Sequence, residues 1–254
     1  MTATAEKSTS NPKVWTIAAG TPAALVGIVV TAVLTVVLGL IGLIVGLVIT
    51  VVAVVMRVRA FPGPVEAKVL ATLPTRPAVG DDAAGLRNLV EGLSAAVGVP
   101  VPALLIIDEP SINVCTIGLS PERSTVVVTE GVLGLGRIAM EGVVARALVQ
   151  IRQGDLAAAT MATRLDASPS VRIVASMLGA TAQVDDPDRD VLIDRAAVSL
   201  TRYPPGLVTA LEAAATKGAV VRSAAGTPAV LWMIDPAGAE HDRLDLRIEA
   251  LGLL

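Results

Sequence analysis

From Val14 to Met56 the chain carries no charged residue, and nearly every position is apolar or small. A single helix over that stretch would run about 65 Å at 1.5 Å per residue, roughly twice the ~30 Å hydrocarbon core of a bilayer. Two crossings fit better than one. The break is expected within Gly39-Leu40-Ile41-Gly42, where two glycines weaken a helix and permit a tight turn. Pro22, after Thr21, suits the start of the first crossing. Lys7 and Lys13 lie before the apolar run and Arg57, Arg59 and Lys68 after it, while the turn has no charge. Positive residues favour the cytoplasm, so both ends of a hairpin, and the domain that follows, are expected on the cytoplasmic side of the plasma membrane. The run also far exceeds the core of roughly 7–15 residues found in a signal peptide, which points to a retained anchor. Neither crossing contains an ionisable group that would mark a transport path.

Beyond the anchor the period changes. Phe61-Pro62-Gly63-Pro64 breaks the helix, and Pro74, Pro77 and Gly80 continue what reads as an irregular linker. Asp81 and Asp82 are candidate N-caps for a helix over 84–97, with Leu86, Leu89, Val90, Leu93 and Val97 at helical spacing. Leu104–Ile107, Asn113–Thr116 and Ser124–Thr129 read as short strands, with a turn over 118–123 between the last two. From Glu130 the spacing is helical: Met140, Val143, Val144, Ala147, Leu148 and Ile151 mark one face of a helix that could extend to Leu165. Further helices are predicted over 171–182, 188–202, 204–215 and 242–251, with Trp232-Met233-Ile234 a short apolar run. The expected class is α+β, mostly helical. The expected division is a disordered tail over 1–13, a transmembrane helical hairpin over 14–58, a linker over 59–82 and one domain over 83–254.

Composition sharpens this picture. Hydrophobic residues make up 53% and the mean hydropathy is +0.70, an excess concentrated in the anchor. The net charge is −3 with no basic block, which removes nucleic acid from the partners. Cys115 is the single cysteine, so no internal disulfide can form, and it reads as a small buried hydrophobe. His241 is the single histidine, which excludes any site needing two imidazoles from this chain. It reads as a helix-start or surface residue rather than a lone ligand. Asp185, Asp186, Asp188 and Asp190 miss the spacing of a calcium loop and suit a helix start. Ser120, Ser124 and Ser168 have no histidine partner in the pattern, so a serine triad finds no support. Gly131-x-x-Gly134-x-Gly136 has the wrong spacing for a dinucleotide loop.

One resemblance accounts for much of the order. The run Asn113-Val114-Cys115-Thr116-Ile117-Gly118, then Val126-Val127-Val128-Thr129-Glu130-Gly131-Val132-Leu133, then Glu141-Gly142-Val143-Val144-Ala145 and Gly154-Asp155, resembles the HtpX-like membrane zinc peptidases. Upstream, Leu89–Leu93 and Gly98–Pro102 are similar to the lead-in of that family. Downstream, Asp194–Val198, Pro205-Gly206-Leu207 with Ala210-Leu211, and His241–Leu244 with Arg247-Ile248 are similar to its later helices. The family places HExxH on a helix, two histidines one turn apart around zinc with a glutamate as general base. The matching positions here are Arg146, Ala147, Leu148, Val149 and Gln150. The third ligand position maps to Asp190 and its supporting carboxylate to Asp194. A guanidinium, a methyl and an amide cannot hold the ion or activate its water, so no catalytic residue, no metal and no cofactor is expected. Arg146 is expected to fill the vacated site and pair with Asp190 or Asp194.

The resemblance thus implies a pseudopeptidase that acts by binding, as scaffold, regulator or subunit of a membrane complex. Its expected recognition surface is the strand Asn113, Val114, Cys115 and Thr116, because in related peptidases this edge pairs with extended substrate backbone. The alternatives are an active zinc endopeptidase in quality control with non-standard ligands, and a small subunit whose hairpin carries the interaction. Partners are the lipid bilayer and a membrane or cytoplasmic protein. Gly42 and Gly46 form a small-xxx-small pair that serves either the hairpin's own packing or an oligomer. Arg164, Asp166 and Arg172 make the interval before Asp190 too charged for another span, so the likeness is to shorter relatives.

Overall fold

The computed structural model describes residues 16–60, 65–154, 156–165, 171, 173–174, 177, 188–224, 227–238 and 241–254. The tail over 1–13, Phe61–Pro64, Asp155, Ser168-Pro169, most of the helix expected over 171–182, and Asp185 and Asp186 lie outside them. The chain divides into two compact units, Met1–Lys68 with Met161–Val184 and Val69–Thr160 with Asp185–Leu254.

In the first unit, helix α1 (Thr21–Ala60) is broken at Gly39, whose φ of 61° and ψ of −138° no helix contains. The break falls inside the interval that the two glycines marked. It folds the second half of α1 back along the first. Gly27 lies against Thr50, Gly46 against Thr31 and Gly42 against the Leu34 backbone; a Cβ added at Gly46 would sit 2.7 Å from Thr31 Cα. Glycines let the two arms approach this closely. Thr31 and Thr50 share a hydrogen bond across the seam at 3.1 Å, and each hydroxyl also meets a carbonyl four residues back in its own arm, Gly27 and Gly46. Gly42 and Gly46 are both buried where the hairpin packs on itself. The outward face is aliphatic and exposed, which in water would be untenable over such an area and suits lipid. Described residues Thr16–Ala60 are long and apolar enough to cross a membrane.

The second unit is a mixed sheet with helices packed on it. Past α2 (Val65–Leu70), which straddles the boundary of the units, come β1 (Thr75–Pro77), α3 (Ala84–Val97), β2 (Ala103–Ile107), β3 (Val114–Ser120) and β4 (Arg123–Thr129). The strand order is β1-β2-β4-β3. β1 runs antiparallel to β2, β2 parallel to β4, and β3 antiparallel to β4 with Cys115 opposite Val127. The α2 helix and the β1 strand lie where the sequence reads as irregular linker. Three-residue β1 is too short for a period to declare itself, and its Pro77 is tolerated because an edge strand need not donate there. Asp81 and Asp82 start a 3₁₀ turn, and no side-chain cap forms at α3. Asp82 is held instead by Arg76 at 2.9 Å.

After the short α4 (Glu130–Leu133), helix α5 (Arg137–Gln153) is the centre of the unit. Every residue from Gly142 to Ile151 is buried, because β3, α3, α7 (Arg189–Thr201) and α8 (Pro204–Lys217) pack around it. Gly142 touches the backbone of Gly206 and Leu207, so α5 and α8 cross with no side chain between them. The expected extension to Leu165 is interrupted: Gly154 takes φ 77°, a left-handed C-cap, and α6 (Leu156–Leu165) begins anew. Helix α9 (His241–Gly252) closes the unit and packs on α8 and α7. His241 is its first residue, a helix start as expected.

Candidate functional site: an arginine at the metal position

Residues 146 and 150 lie one turn apart on α5, and Asp190 and Asp194 one turn apart on α7, so each pair shares a face. The packing of α7 on α5 brings these faces together. Arg146 is fully buried, and its Nε donates to Asp194 Oδ1 at 2.8 Å while Nη2 donates to Asp190 Oδ1 at 2.6 Å. The expected pairing is present, with both carboxylates rather than one. Asp194 is also completely buried, whereas the Asp190 side chain is 25% exposed.

A second arginine completes the network. Arg247 on α9 donates from Nε to Asp194 Oδ2 at 2.7 Å, from Nη2 to Asp194 Oδ1 at 3.0 Å and from Nη1 to the Met233 carbonyl at 2.8 Å. The sequence pointed to Arg247 only as part of the closing segment and gave it no place in the site. A signal was available: Leu244, Arg247 and Leu251 recur at spacing three and four, and all three are buried, so an arginine stands on the apolar stripe of α9. Burial alone would raise the Asp194 carboxyl, but the charges of Arg247 and Arg146, with their hydrogen bonds, outweigh it and hold it below the usual carboxylate range.

The remaining positions are also engaged. Ala147 is buried and brings no polar atom. Gln150 Nε2 donates to the Val230 carbonyl at 2.9 Å, and Arg189 Nη1 lies 3.4 Å from the same oxygen and 3.9 Å from Asp190 Oδ1. Three guanidinium groups thus face two carboxylates. A guanidinium has five N–H donors and no lone pair to offer a metal. Among the described residues no three of His, Cys, Asp and Glu gather where they could hold an ion. The donor set present does not fit zinc.

The strand expected to receive a peptide is differently placed. Asn113, Val114, Cys115 and Thr116 are all buried. β3 is indeed the edge of its sheet, but the chain covers that edge itself: Trp232 bridges to Cys115, the Met233 N–H donates to the Val114 carbonyl at 2.8 Å, and the Gly118 N–H donates to Thr160 Oγ1 at 3.3 Å. The Asn113 amide is saturated, donating to the Ala219 and Ile234 carbonyls at 2.8 Å each and accepting from the N–H groups of Val114 and Ile234. It is a staple inside the core. Burial pushes the Cys115 thiol well above its ordinary range. The short apolar run 232–234 occupies the place of a docked strand, which corrects the expectation of an open edge at 113–116.

A central helix thus lies on a small mixed sheet, and a second helix turns its two carboxylates toward residue 146. The chain is similar to the protease HtpX homologue of Dictyoglomus turgidum, 29% identical over 209 residues, covering 66% of this chain and 69% of the relative. The homologue of Dictyoglomus thermophilum is 30% identical over 183 residues, 59% of this chain and 60% of the relative. That of Streptococcus uberis is 28% identical over 173 residues, 52% and 58% respectively. These likenesses, over more than half its length, support a membrane metallopeptidase-like protein of HtpX-like kind. No family model matches it, and no solved structure does.

Proposed function

We propose that the chain is a membrane-anchored pseudopeptidase, which does not hydrolyse peptides and acts by binding, as scaffold, regulator or subunit of a membrane complex. The observation that carries this reading is the buried Arg146 guanidinium, ion-paired with Asp190 and Asp194 at the position where the family resemblance puts a metal. Hydrolysis of that type needs ligands with lone pairs and a base beside the activated water. Arg146 supplies only donors and Ala147 accepts no proton. In this reading the hairpin crosses the membrane twice, with the N-terminus and the second unit on the cytoplasmic side, in keeping with Arg57 and Arg59 at its end.

The test is metal analysis and proteolysis on one sample purified from detergent-solubilised membranes, with unfolded casein as substrate. The expected result is zinc far below one ion per chain and no cleavage that a chelator abolishes. Stoichiometric zinc with chelator-sensitive cleavage overturns the reading. A second placement of the binding surface, on the hairpin, is favoured by the covered β3 edge. Affinity purification of the full chain and of a form starting near Val65 separates the two. Partners kept by the shorter form lie on the second unit, and partners lost with the hairpin lie on the anchor.

A further inference from the structure

Between the two arms of the hairpin runs a groove of about 390 Å³ whose walls include Pro22, Ala23, Val26, Ile49, Ala53 and Arg57. It exists because small residues face each other there, with Gly27 drawn against Thr50 within its lining. Ile49, Ala53 and Arg57 follow one another at single turns on the second arm, so the groove extends about 12 Å. That is within the roughly 15 Å of one leaflet. Arg57 is exposed and is the one charged residue of the lining. Arg59, in the same last turn, does not line the groove.

A channel this small, with aliphatic walls and a cation at its mouth, matches an amphiphile with a single thin chain and an anionic head. A third helix, with a diameter of about 10–12 Å, needs a wider bed. We infer that the groove seats one acyl chain of an anionic phospholipid, with the headgroup phosphate bound by Arg57. The planar guanidinium suits a phosphate through two parallel N–H bonds, and the surplus negative charge distinguishes such a lipid from a zwitterionic one. This assignment rests on the reading that the hairpin lies in a bilayer.

The full chain, purified and delipidated in detergent, is offered an equal mixture of phosphatidylglycerol and phosphatidylcholine with the same acyl chains. Retained lipid is then read by native mass spectrometry. The expected result is one lipid per chain with a preference of about fivefold for phosphatidylglycerol. Arg57→Gln brings the ratio near parity, Arg59→Gln leaves it unchanged, and Ala53→Leu, which fills the groove, strips both lipids. Parity in the unaltered chain, equal loss in the two arginine variants, full retention in Ala53→Leu, or a second copy of the chain in place of lipid each overturns the assignment. Alkaline carbonate extraction of native membranes separates the two layers of inference. Release of the chain sinks the bilayer placement itself, whereas retention without lipid selectivity sinks only the groove.

Discussion

Arg247 holds Asp194 by both carboxylate oxygens, Nε 2.7 Å from Oδ2 and Nη2 3.0 Å from Oδ1. With Arg146 on the same carboxylate, one buried anion is shared by two cations from different helices. Removing a single member of such a group strands the others in a low-dielectric interior, whereas replacing all of them by apolar side chains removes both the attraction and the desolvation cost. Asp194→Ala is expected to destabilise the chain by about 3–5 kcal/mol. The combined change Arg146→Met, Asp194→Leu and Arg247→Met is expected to recover most of that loss. Denaturant unfolding in detergent measures both, and a harmless Asp194→Ala would show that the network contributes nothing.

The same carboxylate sets an acid limit. Its folded value lies below the ordinary 3.8, so it contributes stability above that value and loses the contribution as pH falls through the lower folded value. Unfolding free energy should therefore decline below about pH 4, and Asp194→Asn should flatten that decline while lowering the plateau above it. Parallel declines in the two chains would assign the acid sensitivity to other groups.

Cys115 offers a probe of the covered edge. Its backbone lies between β4 and the bridge to Trp232, its thiol is fully buried, and burial keeps it protonated. Since thiolate is the reactive form, iodoacetamide is expected to leave it unmodified at pH 8 and to label it fully in denaturant, as read by intact mass. Rapid labelling of the native chain would mean that the 232–234 segment leaves the β3 edge.

Two glycines of the hairpin should fail for different reasons. A Cβ at Gly39 meets nothing within 4 Å, so Gly39→Ala carries only the cost of its positive φ, about 1–3 kcal/mol. A Cβ at Gly42 would run into the Leu34 carbonyl, so Gly42→Val must part the arms. Thermal unfolding in detergent is expected to show a modest shift for the first and loss of the folded hairpin for the second. The reverse order would place the turn elsewhere.

Much of this was legible in the residues, and the failures have physical causes. The anchor, its break, helices 84–97 and 188–202 and the central strands follow from period and from glycine. The Arg146 pairing follows from the family resemblance, which sets Arg146, Asp190 and Asp194 at one site, and from the need of a buried cation for an anion. Arg247 escaped because a basic residue in an amphipathic helix is read first as part of its solvent face, although its spacing from Leu244 and Leu251 sets it on the apolar stripe. The covered β3 edge escaped because Trp232–Ile234 pairs with β3 across more than a hundred residues, and no local pattern encodes a partner at that distance.

That separation also orders events during synthesis. Asp194 meets Arg146, 48 residues upstream, as soon as α7 has formed, but its second cation lies 53 residues downstream. Until α9 leaves the ribosome, Asp194 lacks half its countercharge and β3 lacks the cover that the 232–234 segment provides. The nascent second unit then presents an unpaired strand edge, the kind of surface that chaperones cover.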